Sequence, residues 1–431
     1  MVRVRPLPCA ALGCALFAAS VAGQQPTVPR TREDSVRARA VADSLDVLRE
    51  LEAAARATAL AQPESSRRLL PDISAVGDLV ADLSPDHSTQ EDGSRFRVRE
   101  VEVALGAAVD PYFRGDVYLG FNDAEGAAVE QAYLTTAALP WSLQLRLGRF
   151  LLPLGKQNTT HRHDLHTLDY PHVLQRFLGE EGLKGTGIEA SRIGSPLGFY
   201  QELLVTVLDE LAAGGHAHGH EDEVALRPPS AANDALAGLG YSARLRNYWD
   251  LSAATNLEVS FSAATGKAPV ELDRVLADDV NAVNARRTLA GIDVTFRWRP
   301  LQQGLYRSFL LQGELLRQWN ERDPADVVSA GAAALAEPQR DYTGAYLFAR
   351  WQLTRRAFLG ARTDWLEDPE LTAAAGGGTL RAASLYYQFY PSEFSKLIAG
   401  FERLVPEGGE SATRLLLQAT FALGPHRPHP F

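Results

Sequence analysis

Trp141-Ser142-Leu143-Gln144-Leu145-Arg146-Leu147-Gly148 sets an apolar side chain at every second position and a polar or small one between. Successive side chains of an extended strand point to opposite faces. Trp141, Leu143, Leu145 and Leu147 are therefore expected on one face, with Ser142, Gln144, Arg146 and Gly148 on the other. The same period of two recurs in Phe113 to Asn122, where Phe113, Val117, Leu119 and Phe121 oppose Arg114, Asp116, Tyr118 and Asn122. In Val101 to Val109 the pattern sets Val101, Val103, Leu105 and Val109 against Glu102, Ala104 and Gly106. In Gly291 to Arg299 it sets Ile292, Val294, Phe296 and Trp298 against Asp293, Thr295 and Arg297. In Thr413 to Leu423, Leu415, Leu417, Phe421 and Leu423 oppose Arg414, Gln418 and Thr420.

A soluble sandwich would alternate in the same way, but three further features point to a membrane. Several runs extend over about 10 to 14 residues, the length of a tilted membrane-spanning strand and longer than a globular one. Tight turns at Asp110-Pro111, Leu139-Pro140, Gly194-Ser195-Pro196, Arg355-Arg356 and Pro391-Ser392 are separated by long polar loops. These loops are Pro85 to Ser94, Pro153 to Gly182, Glu210 to Ala237, Lys267 to Arg286, Glu321 to Arg340 and Glu367 to Gly377. The connections around Trp249 and Gln302 are of intermediate length. Short turns on one side and long loops on the other are the plan of an outer-membrane barrel. Trp141, Trp249, Trp298, Tyr306, Trp319, Trp351, Trp365 and Tyr390 fall near strand ends, as interfacial aromatic girdles do. The expectation is an all-β fold: a transmembrane antiparallel β-barrel of about 16 strands over residues 69–431, with both ends on the periplasmic side.

The start of the chain reads as an export signal. Arg3 and Arg5 precede a short apolar stretch, Leu7 to Ala19, and Ser20-Val21-Ala22 supplies small residues for cleavage after Ala22. Cys9 and Cys14 both lie in this signal, 1–22, so the mature chain has no thiol for a disulfide, a metal or a nucleophile. Residues 23–68 form a second segment, a periplasmic linker and a helix over Thr31 to Gln62. Val36, Val41, Leu45, Leu48, Leu51 and Ala55 recur mostly at spacings of three and four, and Pro63 ends the run. Either a short coiled coil or an amphipathic helix packed on its own barrel satisfies this pattern; the former implies a homo-oligomer, with a homotrimer the natural guess. No energy-coupled receptor plug fits in a segment this short. A terminal aromatic, Phe431, follows the last alternating run, the mark read by barrel-assembly machinery, although Pro425 to Pro430 intervene. A net charge of −10 and no basic tract exclude nucleic acid as a partner.

Leu147-Gly148-Arg149-Phe150-Leu151-Leu152-Pro153-Leu154-Gly155-Lys156 resembles the entry to the third loop of the phosphate-selective porin family, and Arg97 to Arg114 resembles that family's early strands. The resemblance implies a barrel whose third loop folds into the pore. One departure stands out. Members of that family line their pores with many lysines, whereas this chain has Lys156, Lys184, Lys267 and Lys396 alone. Its expected lumen carries both signs: Arg114, Arg146, Arg297, Arg362 and Arg414 with Asp116, Asp293, Glu314 and Asp364, together with Glu100 and Glu102. Such a lumen suits a transverse field better than a phosphate ladder.

Two constellations could carry chemistry. The third loop, Pro153 to Gly182, holds Lys156, His161, His163, Asp164, His166, Asp169 and Arg176; folded inward it would form a constriction of titratable groups, anchored by Phe150, Tyr170, Phe177 and Leu178. The same groups would equally serve as ion pairs holding the loop to the wall. His216-Ala217-His218-Gly219-His220-Glu221 offers alternate imidazoles and a carboxylate suited to Zn²⁺, Cu²⁺ or Ni²⁺, or else is a solvated loop tip. No cofactor is required. No nucleophile elbow, phosphate-binding glycine loop or His-Glu-x-x-His helix occurs, so an enzyme is not expected. The expected function is passive diffusion of small solutes or ions through a porin-like channel set in lipid bilayer and lipopolysaccharide. The alternative is a non-conducting barrel that binds a periplasmic or surface partner.

Overall fold

The structure, a computed structural model, describes residues 71–90, 93–122, 126–209, 211, 239–270, 283–322, 341–369, 371 and 378–424. The expected signal (1–22), the linker and helix (23–68), the candidate metal ligands His216, His218, His220 and Glu221, and Phe431 lie outside these residues.

Sixteen strands follow one another: β1 (Asp72–Asp82), β2 (Phe96–Ala108), β3 (Phe113–Asn122), β4 (Gly126–Thr136), β5 (Leu143–Leu151), β6 (Lys184–Gly194), β7 (Tyr200–Leu208) and β8 (Gly240–Ser252). The second half comprises β9 (Thr255–Val270), β10 (Val283–Trp298), β11 (Phe309–Arg322), β12 (Tyr342–Gln352), β13 (Ala357–Glu367), β14 (Thr379–Ser392), β15 (Ser395–Pro406) and β16 (Ala412–Leu423). Each pairs antiparallel with its sequence neighbours, and β1 pairs with β16 from Ala75 opposite Leu423 to Asp82 opposite Leu416. The sheet is a closed barrel of 16 strands, as the alternation predicts.

The two faces invert the order of a soluble protein. Outward-pointing Ile188, Phe261, Leu347 and Leu385 are 49–57% exposed, while inward-pointing Ser260, Asp293 and Gln388 are 0% exposed. Apolar atoms facing out in a continuous band require hydrocarbon around them rather than water. All nine expected lumen residues, Arg114, Asp116, Arg146, Asp293, Arg297, Glu314, Arg362, Asp364 and Arg414, fall on the inward phase of their strands.

Local irregularities correct the sequence reading in several places. Trp141 is not on β5. Pro140–Ser142 is a 3-10 turn in which Trp141 and Ser142 have positive φ, 62° and 56°, and the strand begins at Leu143. The hairpin near Trp249 is tight, since β8 ends at Ser252 and β9 starts at Thr255. The β14–β15 turn is two residues later than Pro391-Ser392 and centres on 393–394. Loop-side connections at 123–125 and 407–411 are short, so long and short do not strictly alternate. The loops read as Lys267 to Arg286 and Glu321 to Arg340 are partly strand, because β9, β10 and β11 run on to Val270, from Val283 and to Arg322. Alternation fades where apolar residues thin out above the lipid, although backbone pairing continues.

At the β1–β2 ladder the register slips between Asp78 and Leu79, so Glu100 opposes Asp78 and Val98 opposes Leu79. The extra residue is Arg99, which this bulge turns inward beside Glu100, out of phase with the alternation.

The belt makes a depth-dependent prediction. Leu385→Arg, facing out near mid-strand, should cost about 2–4 kcal/mol, whereas Ile73→Arg, near the turn-side rim, should cost about 0–1 kcal/mol. Denaturant unfolding of each variant from lipid vesicles measures both; equal costs would contradict a lipid-facing belt.

Candidate functional site

Loop 3, residues 152–183, joins β5 to β6 and folds into the barrel instead of away from it. At its neck the Leu152 N–H donates to the Leu183 carbonyl at 2.9 Å. Asn158, fully buried, clasps this neck: its amide nitrogen donates to the carbonyls of Leu152 and Leu183 at 2.7 and 3.0 Å, and its oxygen accepts from the Leu183 N–H at 2.7 Å. Gly155 has φ of 68°, and the Glu314 carboxylate of β11 occupies the place where a Cβ would stand. Only glycine makes that turn against that wall. Ser262 of β9 accepts from the Gly155 N–H at 3.1 Å, and Glu314 accepts from the Gln157 N–H at 2.9 Å.

Beyond this turn the loop crosses to the opposite wall. A short helix, α1 (His172–Leu178), buries Val173, Leu174, Phe177 and Leu178 on one face. Its first N–H, that of His172, donates to Asp364 of β13 at 3.0 Å, so a wall carboxylate supplies the cap that Pro171 cannot. Phe150, Leu152, Leu154, Leu165, Tyr170, Val173, Leu174, Phe177, Leu178 and Leu183 form one apolar cluster with inward residues of the loop-side wall, among them Leu208, Leu289, Leu316, Leu366, Leu380 and Leu416. The expected anchors Phe150, Tyr170, Phe177 and Leu178 all belong to it, each at most 2% exposed. The loop thus packs against the loop-side half of the lumen as a core, not as a lining.

A buried ionic network fixes its crest. Asp169 receives Arg99 at 2.8 Å and Arg414 at 3.2 Å, with Arg162 at 3.6 Å. Arg99 also holds Asp78 at 2.5 Å. Arg362 bonds Asp364 at 2.7 Å, Glu402 at 3.3 Å and the Asp169 carbonyl at 2.9 Å. Glu402 further takes Arg414 at 3.0 Å, Ser384 at 2.9 Å and His172 at 3.1 Å. Burial alone would raise the Asp169 pKa, but Arg99, Arg414, Arg162 and Arg362 hold it well below the usual carboxylate range.

The structure divides the seven expected constriction residues. His161, Asp169 and Arg176 tie the loop to the barrel: His161 meets Glu102 at 2.6 Å and Gln131 at 2.8 Å, and Arg176 meets Asp368 at 3.5 Å. Lys156, His163, Asp164 and His166 instead line a cavity of about 630 Å³ beneath the loop. Its other walls are turn-side strand ends, including Val76, Arg297, Leu310, Arg350, Tyr390, Phe394 and Lys396. Lys156 is paired across the lumen with Glu258, 2.8 Å away. Arg350 reaches the Nε2 of His166 at 3.2 Å. Burial, then Arg350, Lys396 and Arg297, depress the His166 pKa well below its ordinary value. Asn158, Arg99, Arg350, Lys396, Glu258 and Glu402 were not singled out by sequence. Arg350 and Lys396 sit in phase with their strands' inward positions and were legible there; Arg99 is hidden by its bulge, and a lone asparagine carries no signal.

Among the described residues no group of three or more His, Cys, Asp or Glu side chains could hold a metal ion.

No family model matches the chain. An uncharacterized protein of Aquifex aeolicus strain VF5 is 27% identical over 402 residues, covering 86% of this chain and 81% of that one. The loop L8 deletion mutant of OmpT, an outer membrane protein of Vibrio cholerae, superposes with a TM-score of 0.54 at 9% identity, over 82% of this chain and 99% of that one. The anion-selective porin from Comamonas acidovorans superposes with a TM-score of 0.50 at 11% identity, over 82% and 98%. The chain has the fold of an outer-membrane β-barrel. With its apolar belt it belongs in the bacterial outer membrane. The resemblance to the phosphate-selective porin family rests on its two motifs and extends to architecture alone.

Two outcomes are expected. Asp169→Ala takes one of two carboxylate partners from each of Arg99 and Arg414, leaving Asp78 and Glu402, and should cost about 1.5–3 kcal/mol, read from denaturant unfolding, with new protease cleavage inside loop 3. Because its pKa is depressed on folding, Asp169 contributes stability that is present above its unfolded value of about 3.9 and is lost as pH falls below it. Cleavage of loop 3 in the wild type should therefore stay slow from pH 7 to about 4 and accelerate below; Asp169→Asn should abolish that dependence.

Proposed function

We propose that this barrel is a passive outer-membrane channel for small solutes, narrowed by loop 3. The observation that carries the reading is a polar, charged inner wall crossed by a loop that is tied to opposite sides of the lumen, by backbone N–H groups on one and by Asp169 on the other. Solutes would diffuse through the hydrated space left beside the loop, and the charges of both signs would orient them. The Comamonas acidovorans porin, which has this fold, is an anion-selective channel, and its likeness supports the class of function and not the solute. A second reading, a non-conducting barrel that binds a ligand or partner, is favoured by the apolar cluster that joins loop 3 to the loop-side wall.

Single-channel recording in planar bilayers separates the two. Stepwise conductance is expected, and Asp169→Ala should raise it or make it noisier by freeing the loop. Silence from a barrel shown to be folded would favour the second reading.

The His216 to Glu221 run extends the proposal to divalent metal. Micromolar Zn²⁺ should reduce the conductance, and replacing His216, His218 and His220 by Ala should remove that block. A homotrimer is proposed as the working assembly; deleting Thr31 to Gln62 should reduce it to monomer by light scattering if the coiled coil holds it.

A further inference from the structure

Most lumen cations are matched by a carboxylate. Arg99, Arg146, Lys156, Arg244, Arg246, Arg362 and Arg414 all make ion pairs within 3.4 Å. The cavity beneath loop 3 breaks this rule. Arg297, Arg350 and Lys396 line it, and among the described residues none has a carboxylate within ion-pair distance. Lys396, 8% exposed, spends its ammonium on the carbonyls of His163 and Leu165. Arg350 lies over the Phe358 ring at 3.8 Å and bonds the Tyr390 hydroxyl at 3.1 Å, and its Nε is buried with no partner. Arg297 makes no hydrogen bond or ion pair with any described residue.

The imidazole of His166 adds to the imbalance. A guanidinium can only donate, so the His166 Nε2 facing Arg350 must accept. The ring is then neutral with its proton on Nδ1, a buried atom that has no partner either. Among the described residues, nothing receives the guanidinium donors of Arg297, and the Arg350 charge has no carboxylate beside it; the Arg350 Nε and His166 Nδ1 are closed off and unpartnered. Asp164 and Glu393 are the carboxylates on the cavity wall, against Lys156, Arg297, Arg299, Arg350 and Lys396. Uncompensated donors in a partly dry site are costly unless a ligand supplies the acceptor. Between them run apolar surfaces of Val76, Leu165, Leu310 and Phe394, which an inorganic ion would leave uncovered.

We propose that this turn-side vestibule is a binding site for a small organic carboxylate, its anionic head on Arg297 and Arg350 and its apolar body against Leu165, Leu310 and Phe394. The inference deepens the channel reading, on which it rests for passage of the solute and not for binding. A cavity of about 630 Å³ is ample for a ring-sized anion.

Calorimetric titration of the folded full-length protein in detergent tests it, with benzoate, benzyl alcohol and inorganic phosphate as probes. Saturable benzoate binding is expected, with benzyl alcohol and phosphate at least tenfold weaker. Arg297→Ser/Arg350→Gln should weaken benzoate by more than tenfold, the loss expected for charge-assisted bonds. Because Arg350 also packs on Phe358, the single variant Arg297→Glu, at a partly exposed position, gives the same reading without touching that packing. No saturation by roughly 50 mM benzoate, equal binding of benzyl alcohol or phosphate, or unchanged benzoate affinity in a folded Arg297→Glu barrel would each overturn the proposal. Benzoate binding by a barrel that passes no current would sustain the site and remove the channel. A conducting barrel whose benzoate affinity ignores Arg297 would do the reverse.

Discussion

A strand in hydrocarbon has no water with which to pair its amides, and every unpaired group there costs several kcal/mol. The rest of this molecule follows from that constraint. The sheet has to close, and the pairing of β1 with β16 closes it. Once closed, the belt of outward side chains has to be apolar, and polar residues are driven to the inside.

Inside, the problem reverses. A barrel of this circumference has more interior than its own side chains fill, and the charges it carries are partly desolvated. Loop 3 meets both demands. Its apolar residues fill the loop-side half, and its carbonyls, amides and Asp169 take up wall charges that would otherwise stand alone. Buried pairs of this kind contribute less to net stability than to holding one arrangement, because desolvation offsets much of the attraction. Asn158 serves the same end at the neck, bonding three backbone groups just where the strands part.

The interior is therefore asymmetric along the barrel axis. The loop-side half is a packed core in which most charges are compensated, with buried Arg287 held by Gln318 alone among the described residues. The turn-side half is an open vestibule in which cations exceed carboxylates.

The period of two determined the barrel and the inward face of each lumen residue, because on a strand the phase of one residue sets the phase of all its neighbours, while the turns and loops gave the strand count only approximately. Boundaries failed where that phase lost its meaning: at Trp141, taken into a turn by positive φ, and at Arg99, displaced by a bulge. The entry of loop 3 was legible from the resemblance of Leu147 to Lys156 to the third-loop entry of the phosphate-selective porin family, and its anchors from their apolar character. The roles within it were not. Whether His161 and Asp169 clasp the wall while His163 and His166 face a cavity depends on which distant strand each meets after the loop crosses the lumen. Those partners, Glu102, Arg99, Arg414 and Arg350, are far away in sequence and are brought close only by closure of the barrel.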